Sequence, residues 1–221
     1  MNEFVDIFSS SDPSNVATSV QLLLLLTVFS LAPSIIILLT CFTRIIIVLS
    51  FTRTSLATQQ MPPNQVLIGI ALFLTFFIMA PTFQQVNEDA LTPLFNEEIT
   101  LDEAYTNASI PMKEFMSKHT RQKDLALFMN YSGLENPESL EDIPLTTLVP
   151  AFAISELKTA FQMGFMIFVP FLVIDMAVAS VLMSMGMMML PPVMISLPFK
   201  ILLFVLVDGW YLITQSLLQG F

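Results

Sequence analysis

The chain has 221 residues, 55% of them apolar and only 12% charged, with a mean hydropathy of +0.76 and a formal net charge of −10. Soluble domains carry about twice that charge, and so acidic a chain has no basic patch to neutralise phosphates, which excludes nucleic acid as a partner. One cysteine (Cys41) and one histidine (His119) leave no intrachain disulfide, no metal-ligand set and no cofactor motif, and without GxxxxGK[ST], HExxH or GxSxG the chain does not read as an enzyme.

The charges are unevenly spread. Residues 82–149 hold 12 of the 18 acids and 4 of the 8 bases. This divides the chain into an acidic N-terminal segment (1–21), a first apolar helical region (22–81), an acidic polar helical insert (82–149) and a second apolar helical region (150–221). Met1 to Ser14 contains no Lys or Arg. A secretory signal needs a basic start, so no cleaved signal is expected.

Leu22 to Thr43 is free of charge, and after Arg44 the apolar run resumes from Ile45 to Thr52. The whole exceeds the roughly 20 residues that cross a bilayer. Pro33 can kink or break it, so a single steep helix and a helical hairpin both fit. Pro62-Pro63-Asn64 opens a second apolar helix, Val66 to Ala80, which Pro81 should end. In the insert, Met112, Phe115, Met116, Leu125, Phe128 and Met129 recur at helical spacing and predict a helix over 111–131. Asn136-Pro137 and Ile143-Pro144 punctuate the remainder of the insert.

Thr146 or Thr147 can cap a helix running past Glu156 to Phe168, with a kink at Pro170. The next stretch ends in Met183-Ser-Met-Gly-Met-Met-Met-Leu-Pro-Pro192. Successive methionines cannot form one helical stripe, because a stripe needs spacings of three and four. Gly186 and the double proline mark a turn, so Met187, Met188 and Met189 cluster at a hairpin tip. Met is unbranched and adaptable. It serves there either as gap filler or as a surface that closes and deforms. A last helix is predicted over 199–218. The fold class is all-α, with about four apolar segments arranged as membrane-associated hairpins. Arg44 and Arg53 place the first polar turn on the cytoplasmic side and the acidic insert on the outer side.

Glu156, Lys158, Asp175, Lys200 and Asp208 are lone charges in apolar surroundings. At membrane depth each costs about 2.5–3.5 kcal/mol unless compensated. Glu156 and Lys200 are expected to form an inter-helix ion pair, with Asp175 and Asp208 as isolated buried acids. A competing function is an ion or small-solute transporter working through Asp175 and Asp208. Against it, no matching pair of Gly/Pro-broken helices marks a midplane site.

Three long stretches resemble the FliP family of the flagellar type III export gate. They are Pro150-AFAISELKTAFQMG-Phe165, Pro170-FLVIDMAVASVLMSMGMMMLP-Pro192, and Phe42-TRIIIVL-Ser50 continuing to Met61-PPNQVLIGIALFLTFFIMA-Pro81. The forms Asn64-QVLI-Gly69 and Leu74-TFFI-Met79 are closer to the flagellar branch than to the virulence injectisome branch. The resemblance implies a non-enzymatic subunit of an oligomeric helical pore: a pentamer completed by one FliR-like chain, with FliQ-like subunits, FlhA- and FlhB-like export proteins and a FliO-like assembly factor. It further implies unfolded flagellar export substrates, a place in the bacterial inner membrane at the flagellar basal body, and hairpins that lie largely on protein neighbours. The family's methionine ring corresponds to Met187, Met188 and Met189. In a symmetric pore these loops meet on the axis, where flexible apolar side chains can seal by dewetting. Many relatives carry a cleaved signal peptide, and this chain departs from them there.

Overall fold

A computed structural model describes residues 13–221 except 59, 135, 136, 138 and 188. The chain divides into two compact units at Leu38–Leu39. The first is occupied by helix α1, Pro13–Leu39. Its Thr27 and Ser30 hydroxyls donate to the carbonyls of Leu23 and Thr27, each at 2.8 Å. Polar atoms in an apolar helix are thereby satisfied by their own backbone. The long apolar run is split at Thr40–Cys41 rather than at Pro33, which lies within α1.

The second unit is all helical among its described residues: α2 (Phe42–Ser55), α3 (Asn64–Val86), a π-helical turn (Asn87–Leu91), α4 (Thr92–Phe95), α5 (Leu101–His119), α6 (Gln122–Ser132), α7 (Leu145–Ser184), α8 (Pro192–Leu206) and α9 (Gly209–Gln219). The expected end at Pro81 is not observed. Pro81 lies inside α3, and the helical path continues to Phe95. Prolines 111, 150, 170 and 198 are likewise inside helices. Among the described residues, Asn64–Phe95 and Leu145–Ser184 are long and apolar enough to cross a membrane. Helices α8 and α9, bent by 61° at their junction, make a third such span if taken together.

The core is built where α2 lies against the first half of α7. From α2 come Ile45, Val48, Leu49 and Thr52, and from α7 Leu148, Ala151, Phe152, Ser155, Glu156 and Ala160, all buried. The α7 residues recur every three or four positions and form one stripe. Gly164 continues that stripe because the Phe51 ring occupies the space a side chain would take: a Cβ there would lie 2.5 Å from it. Buried Thr52 and Thr75 return their hydroxyls to the Val48 and Ala71 carbonyls at 3.0 and 2.7 Å, so these polar groups need no other partner.

The polar segment is better ordered locally than its composition suggests. Thr100 caps α5 in a reciprocal capping box with Glu103, which satisfies two of the orphan donors at a helix start. The bonds from the Thr100 backbone and side chain hold the Glu103 carboxyl below its usual range. Helix α5 begins ten residues before the expected Pro111 and breaks at Thr120, ahead of α6. Asp124 anchors α6 to α7 by accepting from the Ser155 hydroxyl at 2.6 Å.

Candidate functional site

The methionine turn is shaped by its backbone. Helix α7 ends at Ser184 with Met185 as its C-cap, and Gly186 takes φ +73°. The Met187 N–H donates to the Leu182 carbonyl and the Gly186 N–H to the Met183 carbonyl, each at 3.0 Å. This is the paired pattern of a Schellman ending, which needs a left-handed residue at the glycine position. Among the described residues, no atom lies within 4 Å of where a Cβ on Gly186 would sit, and its left-handed φ is what selects glycine. Pro191 is extended and Pro192 starts α8 at the first helical position, where a missing N–H costs nothing.

The result is a tip from which thioethers project. Met189 is 97% exposed and Met187 43% exposed, and Met183 and Met185 are exposed beside them. Met188 lies outside the described residues. Beneath the tip an open apolar hollow of about 340 Å³ is lined by Ala177, Val181 and Leu182 of α7 and Ile195 and Phe199 of α8.

Below the tip, Lys200 on α8 is 2% exposed and donates from Nζ to Oδ2 of Asp175 at 2.6 Å and to the Ser55 carbonyl at 3.1 Å. Ser196 donates to the other Asp175 oxygen at 2.5 Å. The end of α2 is thereby tied to both arms of the tip. Deeper in the unit, Glu156 is fully buried and bound by Arg44 through both carboxylate oxygens, Nε to Oε2 at 2.8 Å and Nη2 to Oε1. Arg44 also donates from Nη1 to the Gly220 carbonyl at 2.8 Å, and its guanidinium lies 3.8 Å above the Phe221 ring.

The expected pair of Glu156 with Lys200 is therefore corrected. Both are paired, but to Arg44 and Asp175. The reason is geometric: Asp175, at the level of Lys200, is 19 residues beyond Glu156 on one helix, about 28 Å at 1.5 Å per residue. Asp175 is not isolated, since its side chain is 26% exposed and fully engaged. Asp208 is not buried either; it is exposed at the α8–α9 junction. His119 is packed between the Phe115 and Phe221 rings at centroid distances of 4.9 and 5.1 Å. Burial, with the Arg44 and Lys118 charges adding to it, lowers its pKa to about 4.

The FliP family model matches residues 25–217, which include the tip and both charge clusters. The chain belongs to the FliP family. It is 80% identical over the full length of both chains to the flagellar biosynthetic protein FliP of Bacillus subtilis (strain 168). It is 54% identical to the protein of that name from Caulobacter vibrioides, over 91% of this chain and 76% of that one. With the FliP of Aquifex aeolicus it shares 48% identity over 94% of this chain and 87% of that one. The ion pairs, the Schellman glycine and the methionine tip are thus features of a FliP family chain.

Proposed function

We propose that this chain is a pore-forming, non-enzymatic subunit of the flagellar type III protein export gate, in which Met187, Met188 and Met189 seal the channel. The observation that carries the reading is the tip itself. A turn fixed by Gly186 and Pro191-Pro192 holds out long flexible apolar side chains, with Met189 almost fully exposed. Several copies around an axis would bring them together, closing the path to water and ions while yielding to an unfolded chain.

In this reading the chain forms a homo-oligomer, a pentamer with FliQ-like and FliR-like subunits. It sits in the bacterial inner membrane at the flagellar basal body and works with FlhA- and FlhB-like proteins on unfolded flagellar export substrates. Residues 82–149 face the outer side. The transporter reading through Asp175 and Asp208 is not favoured: Lys200 and Ser196 occupy both Asp175 oxygens, and Asp208 is on an exposed bend.

The test is native mass spectrometry of the complex extracted in mild detergent after co-expression with the FliQ-like and FliR-like chains. The expected species contains several copies of this chain together with those partners. A monomer as the sole species would overturn the reading.

A further inference from the structure

Helix α9 is held at its two ends and poorly supported between them. At its start, Asp208 has φ 52° and ψ 55°, a left-handed conformation that is unfavourable for an L-residue. Its side chain makes no capping hydrogen bond in return. Gly209 is buried against the Phe204 ring, which fills the place a Cβ would take. Phe204 in turn meets Trp210 edge-on at 5.3 Å. At the other end, the Gly220 carbonyl and the Phe221 ring are clasped by Arg44.

Between elbow and clasp, a hollow of about 410 Å³ is lined by Met163, Met166 and Ile167 of α7 and by Leu212, Ile213 and Ser216 of α9. This hollow is open to the surface, so α9 meets α7 along only part of its length. From the body of α9 beyond Gly209, only Ile213 and Leu217 are buried.

We infer that α9 is a strap that pivots at Val207–Asp208 between a clasped state, bent on α8, and a released state in which α8 and α9 form one straight span. Release returns Asp208 to helical torsions and relieves its left-handed cost. Opposing it are the Arg44 contacts to Gly220 and Phe221 and the packing of Ile213 and Leu217. In apolar surroundings, uncovering two aliphatic side chains lacks the penalty that water would impose. The straightened pair, Pro192–Gln219, would be about 42 Å long, enough to cross a hydrocarbon core of about 30 Å. The strap does not depend on the tip acting as a seal.

The test is a spin-label distance between Met194→Cys and Gln219→Cys in the assembled complex, with labelled chains diluted in unlabelled ones. Both positions are exposed, and Cys41 is fully buried, so it does not compete for the label. Straightening a 61° bend lengthens this distance by about 5 Å. A major short and a minor long component are expected. Asp208→Ala should raise the long fraction roughly fivefold, because alanine tolerates the left-handed state less well. Asp208→Gly should lower it by a similar factor, because glycine takes that state freely and weakens the straight helix. Phe221→Ala, which loosens the clasp, should raise it. The two Asp208 variants alter an exposed side chain and decide the question even if Phe221→Ala does not assemble. One unchanged distance in both of them, or a shift of both in the same direction, would overturn the strap.

Discussion

The two halves of α7 belong to one apolar helix and have opposite surroundings. From Thr147 to Gly164, one side of the helix is a continuous buried stripe against α2, with a fully buried carboxylate and its arginine partner at the centre. From Phe171 to Ser184, only Phe171 and Leu182 are buried, while Leu172, Val173, Met176, Val181 and Met183 are exposed. Hydropathy ranks these halves the wrong way round for burial, since the less buried second half is the more apolar. What separates them is whether the chain itself supplies the neighbour. The first half is finished within one chain. The second half and the tip present apolar surfaces that one chain does not cover, as an element does when lipid, other copies or other proteins lie against it.

The sharpest way to break this contrast is through the buried charges. Removing one partner of a buried ion pair typically costs about 3–5 kcal/mol, so Arg44→Ala or Glu156→Ala should abolish accumulation of assembled complex on native gels. The double change Arg44→Met with Glu156→Leu should recover part of it, because no unpaired charge then remains. Lys200→Ala should be less damaging, since it leaves Asp175, whose side chain is 26% exposed and open to water; Asp175→Ala strands Lys200 at 2% exposure and stands outside that contrast. Equal losses at the two sites would mean that the halves of α7 do not differ as described.

A smaller effect is expected at the α2–α7 contact. Gly164→Ala places a methyl group in the Phe51 ring, and overpacking of this kind costs about 1–3 kcal/mol. The melting temperature of the extracted complex should fall, and Phe51→Leu should restore part of the loss. A glycine-to-alanine change at Gly69, where a Cβ would meet open space, should leave it unchanged or raise it.

The smallest effect concerns pH. His119 is held neutral, with its folded pKa lowered to about 4 by burial and then by Arg44 and Lys118. The unfolded chain, with an ordinary histidine pKa near 6.5, binds the proton first. Stability should therefore be full above about pH 6.5 and decline as pH falls toward about 4. His119→Phe should flatten that part of a thermal-stability profile. An unchanged slope would mean that the aromatic stack around His119 does not hold it neutral.

Much of the architecture is legible in the sequence because it is local. Apolar runs, Gly186 and Pro191-Pro192 announce the helices and the methionine turn without reference to distant residues. Two further local signals carry boundaries that apolar runs alone do not give. The Asp-Gly pair at 208–209, a turn dipeptide, marks the true break in the last apolar segment, and Thr100-x-x-Glu103, a capping box, starts α5. One proline misleads in the other direction. Pro81 reads as a helix end, yet it lies within α3. The ion-pair partners are not legible. That Glu156 needs compensation follows from its surroundings, but its choice of Arg44, 112 residues away, is a property of how α2 and α7 meet. Exposed Asp208 reads as buried in sequence only because its neighbours in the chain are apolar.

The most direct test of the central claim is the conductance of cells carrying assembled complex in which Met187, Met188 and Met189 are all changed to Ala. The long side chains are lost while Gly186 and the two prolines keep the turn, so assembly should survive. Membrane conductance to small ions should rise clearly above wild type, and Leu at the same three positions should leak less than Ala, being apolar and long but stiffer. Conductance that stays at the wild-type level with normal protein export would contradict the account and reduce the methionine tip to packing filler.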